Sequence, residues 1–256
     1  MAIKRRFFGL SCEEYWFDPE GFLQSTADVA ALRAHESDVP ADAVIREKTL
    51  VLSLDRTENE LLAVMQSRTR GYVRNPTENV TISLARTDDD RGQFYSLYRA
   101  FAKSRGLLLP RREEEGDLDI FLARRSSGDL LHATAFIPAW KNGVYRYRYS
   151  VAARKSQVNK AIVWAALLHA KKAGFRVFDF GGIPADLSEK NPLHDIYLFK
   201  AQFGGTPKET FLYIRSSKAL LKPIVACVGG IISHQRWYAL ATMAANKIGL
   251  GRGKEM

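Results

Sequence analysis

Between residues 119 and 215 the apolar pattern changes period in a fixed order, and that order constrains the chain more than any other feature. Segments 119–124 and 130–138 read as strands paired across Ser126-Ser127-Gly128-Asp129, a hairpin signal. A third strand follows at about 143–150. Residues 157–173 then take helical spacing and stop at Gly174. Residues 175–180 form a short strand closed by Gly181-Gly182, residues 192–203 a second helix that also stops at glycine, and 210–214 a final strand. The fold class is therefore α/β. Upstream, 47–54 reads as a strand. Thr57-x-x-Glu60 is a capping box opening one helix, with Leu61, Leu62, Met65, Thr69, Tyr72 and Val73 on one face and Arg70 and Arg74 on the other. Pro76 ends that helix. Residues 80–84 read as a strand, 91–105 as a helix and 111–119 as a charged loop. Residues 1–46 are mixed and show no clear period, and 216–256 is helical and basic.

Composition narrows the function classes. At 46% hydrophobic and 11% aromatic residues, the 256-residue chain is not a disordered one. Its net charge of +10 favours nucleic acid, anionic lipid or phosphorylated substrates as partners. Cys12 and Cys227 make no disulfide framework, and His35, His132, His169, His194 and His234 have no metal-ligand spacing. No metal and no cofactor is expected, and the setting is expected to be reducing and cytoplasmic. Lys4-Arg5-Arg6 before Phe7-Phe8-Gly9-Leu10 imitates a signal peptide, but its apolar part ends almost at once. The longest apolar run, 224–232, is far short of the ~20 residues of a spanning helix.

Several residues break the local pattern in ways chemistry uses. In the helix opened by Asn191 (an N-cap) and Pro192 (first helical position), Leu193, Ile196, Tyr197 and Phe203 define an apolar stripe, and Lys200 stands in its middle. Such a lysine either snorkels along apolar surface or marks a functional site. Gly181-Gly182 ends a strand where open α/β sheets bind ligands, and it is equally an ordinary tight turn. Asp179 lies opposite Phe178 and Phe180, where it orients an amine or makes a structural hydrogen bond. Tyr145-Arg146-Tyr147-Arg148-Tyr149 alternates, so three tyrosines share one face and two arginines the other. Those faces suit stacked bases and phosphates, or tyrosines packed on the 157–173 helix with arginines outside. Arg68, Arg70 and Arg74 form the clearest basic cluster, suited to phosphate or to plain solvation. The stretch 154–160 has no glycine, although a coenzyme A-dependent acetyltransferase would place its pyrophosphate loop there. Trp237, Leu240, Ala241, Ala244 and Ile248 take helical spacing among basic residues. That tail either packs on the domain or touches an anionic membrane.

The element order from 119 to 215 is that of an N-acetyltransferase-like (GNAT) fold, and three segments resemble the FemABX family. They are Arg68-Thr69-Arg70-Gly71-Tyr72-Val73-Arg74, Phe178-Asp179-Phe180-Gly181-Gly182-Ile183 and Leu198-Phe199-Lys200-Ala201-Gln202-Phe203-Gly204-Gly205. The resemblance covers about 50–215. FemABX proteins are aminoacyl-tRNA-dependent peptidyltransferases that add amino acids to peptidoglycan precursors, with short relatives in antibiotic pathways. In that family the Phe-Lys pair lies by the channel for the charged 3′ end of the tRNA, and Phe199 and Lys200 match it.

The resemblance implies a mixed sheet flanked by helices, with a partial N-terminal domain over 1–75, a catalytic domain over 76–215 and a helical tail over 216–256. It implies Lys200 and Phe199 at the acyl-transfer centre. Gly181, Gly182, Asp179, Tyr197, Tyr147 and Tyr149 are then expected at the substrate, and Arg68, Arg70, Arg74, Arg146 and Arg148 on the tRNA. An aminoacyl ester is already activated and an α-amine has a pKa of about 7.7–8.0, so no strong base is needed. Alignment and a positive charge where the oxyanion develops suffice. Two rival readings stay open: an N-acyltransferase using acyl-coenzyme A or an acyl carrier protein on an envelope precursor, and a non-catalytic RNA- or membrane-binding module.

Overall fold

The computed structural model describes residues 2–7, 10–35, 38–75, 79–105, 118–153, 157–184, 186–189, 191 and 193–223. Pro76, Pro192, most of the 111–119 loop, the 154–156 stretch, the 224–232 run and the tail beyond residue 223 fall outside these, as does the question of tail and membrane. Among the described residues no helix is long and apolar enough to cross a membrane. The Cα packing divides the chain into two units. One comprises Met1–Arg46, Tyr98–Gly116 and Phe211–Met256. The other comprises Glu47–Leu97 and Asp117–Thr210.

The first unit is built on β1 (Ala2–Phe7), β2 (Leu10–Trp16), α1 (Pro19–Gln24) and β3 (Val29–Ala34). β1 and β2 pair antiparallel, while α1 carries the chain across so that β2 and β3 run parallel. This is the region the sequence left unread. Asp18 caps α1 by accepting from Gly21 N at 3.2 Å, and Pro19 occupies its first turn. Arg215 closes the other end, donating to the carbonyls of Phe22, Leu23 and Ser25. Tyr15, Phe22, Leu32 and Tyr213 form the local core.

The second unit holds the α/β order expected from 119–215. β4 (Ala43–Ser53) runs from the first unit into it, and β10 (Thr206–Ser216) runs back. Between them in sequence lie α2 (Glu58–Ala63), α3 (Ser67–Arg74), β5 (Val80–Leu84), α4 (Asp88–Arg105), β6 (Asp119–Arg125), β7 (Leu130–Ala139), β8 (Val144–Ala152), α5 (Val158–Lys172), β9 (Val177–Ile183) and α6 (His194–Ala201). The strand order is β4-β9-β8-β7-β6-β5. Every pairing is antiparallel except β8 with β9, which are parallel across α5. The mixed sheet flanked by helices that the sequence implied is present. Its core joins Phe136, Tyr145, Phe178, Phe180 and Phe203 to the aliphatic face of α5.

The structure corrects four local expectations. The single helix from Thr57 is two, although the capping box forms as read. Gly204, at φ +85°, comes so close to the Val64 carbonyl that a Cβ would sit 2.4 Å from it. Gln66 N donates to Gln202 O at 2.9 Å, so the 64–66 turn binds the end of α6 instead of continuing the helix. Gly181-Gly182 lies inside β9 and does not close it. α6 starts at His194: Asn191 accepts from Leu193 N at 2.9 Å in a turn one step upstream, and Leu193 takes the N-cap. In β8 the register shifts so that Phe136 faces Tyr147 while Ala135 faces Tyr149. Arg148 is the extra residue of this bulge, which moves Tyr149 to the face opposite Tyr147. The expected face of three tyrosines is broken.

Candidate active site around Lys200

β8 and β9 pair only from Val144–Val177 to Arg146–Asp179. Beyond that rung β8 continues along β7 and β9 continues along β4, so the two strands part. The side chains that matter gather where they part. Asp179 is fully buried and spent on three donors: Thr49 Oγ1, Gly181 N at 2.7 Å and the Arg146 guanidinium. Arg146 and Asp179 form a buried ion pair with side chains 6% and 0% exposed. The carboxylate repays part of the cost of burying the guanidinium, and the remaining lone pairs are satisfied.

Gly181 has φ +81°, and a Cβ there would stand 3.1 Å from the Tyr147 carbonyl and 3.5 Å from Lys200 Nζ. Only glycine fits this turn of strand without strain. Lys200 is the one buried residue of α6. Its ammonium donates to the carbonyl of Gly182, an exposed residue, at 2.6 Å. Burial lowers the pKa of Lys200 to about 8; the Arg146 charge adds to that and Asp179 opposes it. The arrangement is a buried cation at the place where the two strands part. It can hold a developing negative charge, or release a proton near neutral pH, with little reorganisation.

The other expected residues separate clearly. Gly181, Gly182, Asp179 and Lys200 come together. Phe199 and Tyr197 are half-buried against the apolar core, the Phe199 ring 5.7 Å from that of Phe203. Tyr147 is on the α5 side, its hydroxyl accepting from Asn159 Nδ2 at 3.2 Å. Tyr149 is on the other face, under the Arg148 guanidinium at 4.6 Å. Arg146, expected to face RNA, is instead buried in the Asp179 pair, because the rung it shares with Asp179 lies at the sheet centre. On α3, Arg68 and Arg74 are exposed, while Arg70 is half-buried and donates to the Ala63 carbonyl at 3.3 Å. Thr69, on the same helix, is buried and donates to Gln202 Oε1 at 2.6 Å, and Gln202 Nε2 donates to the Phe199 carbonyl at 2.7 Å. The first and third resemblance segments thus meet in a hydrogen-bonded clamp.

Sequence reasoning missed a second polar cluster. His132 Nε2 and Ser150 Oγ are 2.7 Å apart, Ser150 lies 3.3 Å from Thr134 Oγ1, and Thr134 donates to Asn159 Oδ1 at 2.9 Å. The β8 bulge turns Ser150 onto the face of Tyr147 and makes this chain possible. His132, Thr134 and Ser150 each look like an ordinary strand residue, so no local signal marked them. Burial holds His132 neutral by lowering its pKa to about 4.

The acetyltransferase (GNAT) domain family matches residues 63–190, which include β9 but stop short of Lys200. Among solved structures, FemX superimposes with a TM-score of 0.61 at 14% identity, covering 87% of this chain and 86% of its own. L-PGS from Bacillus licheniformis gives 0.55 at 12%, covering 91% and 84%. The C-terminal domain of a protein assigned as a lysylphosphatidylglycerol synthetase, from Agrobacterium fabrum, gives 0.54 at 11%, covering 88% and 84%. At these identities the likeness is one of fold. No curated protein sequence matches the chain.

Proposed function

The chain belongs to the acetyltransferase (GNAT) domain family and is an acyltransferase of that type. From that premise we propose that it moves an aminoacyl group from aminoacyl-tRNA to the amine of a peptide, or of a peptidoglycan or antibiotic precursor, forming a peptide bond. The observation that carries this reading is Lys200: a buried cation, bonded to Gly182 O at 2.6 Å where β8 and β9 part, and the one buried residue of its helix. The acceptor amine attacks the ester carbonyl, and the tetrahedral oxyanion forms facing the Lys200 ammonium. As the C–O bond breaks, the 3′ oxygen of the tRNA leaves with a proton and the amide remains. A donor of this kind contributes about 2.7–4 kcal/mol to such a step.

The tRNA donor is supported by the resemblance of 68–74, 178–183 and 198–205 to FemABX segments. The exposed Arg68 and Arg74 suit phosphates, and the Thr69–Gln202 bond ties their helix to that of Lys200. The test is the donor. Product formation requires charged tRNA and vanishes after ribonuclease treatment. Turnover with acyl-coenzyme A alone, in tRNA-free buffer, overturns the reading.

A further inference from the structure

Lys200 has the geometry of an ion-pair partner and yet, among the described residues, none pairs with it. Asp179 is the carboxylate whose charge reaches it, but the acceptor positions of Asp179 are taken by Thr49 Oγ1, Gly181 N and Arg146. Among the described residues no carboxylate lies within 4.0 Å of Lys200 Nζ, and its hydrogen bond goes to a backbone carbonyl, Gly182 O. We propose that Arg146 is the positioning residue of this centre: by holding Asp179 in the buried pair, it keeps the Lys200 ammonium unneutralised at the parting of β8 and β9. This rests on the reading of Lys200 as the acyl-transfer centre and gives it a mechanism. Among the described groups that bear on Lys200, two buried cations are set against one buried carboxylate, an excess of positive charge. That excess is what an oxyanion neutralises.

The charged groups bearing on Lys200 from the strands against α6 are Arg146 of β8 and Asp179 of β9; β4 contributes the neutral Thr49 hydroxyl. Arg146 opposes the protonated lysine and Asp179 favours it, which is the sign the proposal needs. Without Arg146, Asp179 is left with Lys200 as its cation. The Lys200 pKa then rises, and the ammonium is drawn from the site into a new ion pair.

The test reads Lys200 directly, by NMR titration of its side-chain Cε in 13C-lysine protein, with the resonance identified by its loss in Lys200→Met. The wild-type midpoint is expected near pH 8. In Arg146→Met it rises by about one unit or more, so the neutral fraction at pH 7 falls about tenfold. Arg146→Lys keeps the charge and leaves the midpoint close to wild type. If Arg146→Met fails to fold, Arg146→Gln decides, since it keeps a donor for Asp179 and removes the charge; its midpoint also rises. A midpoint unmoved in the folded variant overturns the proposal. The pH profile of aminoacyl transfer, measured on the same proteins, is expected to move with the titration. A titration that moves while the activity profile stays fixed upholds the pairing by Arg146 and overturns Lys200 as the acyl-transfer centre.

Discussion

The two helices that follow β8 and β9 obey opposite rules. α5 buries Val158, Ile162, Val163, Ala166 and Leu167 against the sheet, and, among the described residues, its one polar side chain bonded to the β7 and β8 side chains is Asn159. α6 leaves Leu193 beside it, Ile196 and Leu198 at 38%, 46% and 47% exposure and buries Lys200. α5 is organised by the hydrophobic effect. α6 is held instead by its C-terminal end, through Gly204 against Val64, Gln66 N on Gln202 O and the Thr69–Gln202 hydrogen bond, with Tyr197 and Phe199 half-buried on the core. A helix anchored that way can present a cation inward at a cost in stability. Local rules broken with compensation elsewhere are where function concentrates.

The comparison breaks or holds first on stability. Ile162→Ala in α5 is expected to cost about 2–5 kcal/mol in chemical denaturation, since Ile162 is fully buried. Leu198→Ala in α6 is expected to cost about 0.5 kcal/mol or less, as for surface sites. Equal losses would mean that α6 is a core helix after all.

Next comes the burial of Lys200 itself. Its pKa is 10.5 ordinarily and about 8 in the fold. Between those values the unfolded chain binds more protons, so stability rises with pH across the window and its cost is fully present below pH 8. By about 1.36 kcal/mol per unit the rise is on the order of 3 kcal/mol. Lys200→Met is expected to lack that rise over the same window. A wild-type curve without that rise would place Lys200 in water.

His132 gives the same dependence in a lower window, and from the same cause. Burial lowers its pKa from 6.5 to about 4, so as pH falls through that window the unfolded state takes up a proton first and stability declines. His132→Gln is expected to flatten that acid limb in thermal melts, leaving the alkaline rise from Lys200 intact. An unchanged acid limb would assign it to other groups.

These effects sit on a fold that was partly legible. The hairpin β6–β7, the helix α5 and the capping box at Thr57 were read correctly because period and turn chemistry are local. The break at 64–66 was not, because Gly204, far along the chain, causes it. The face of Tyr149 was misjudged because a bulge leaves no mark in an alternating sequence. Residues 1–46 went unread because α1, with six residues, is too short to show a helical period between its strands. Lys200 stood out as a charge within an apolar stripe, but of that stripe only Phe203 is fully buried. Arg146 looked like half of a basic face, and only its rung with Asp179 reveals it as a buried partner.

The smallest effect belongs to the basic surface. Arg68→Ala/Arg74→Ala is expected to reduce the log–log salt slope of tRNA binding by about two contacts, each worth roughly 0.7–0.9, with the fold intact because both side chains are exposed. An unchanged slope would move the RNA footprint away from α3.

The central claim is that the one buried residue of α6 serves chemistry and not packing. It is tested most directly by single-turnover transfer from saturating aminoacyl-tRNA with Lys200→Met, alongside its melting temperature at pH 7. The account predicts transfer slowed by about 10²–10³-fold, as for loss of an oxyanion donor, in a protein at least as heat-stable as wild type. A folded Lys200→Met protein that transfers at the wild-type rate would contradict it.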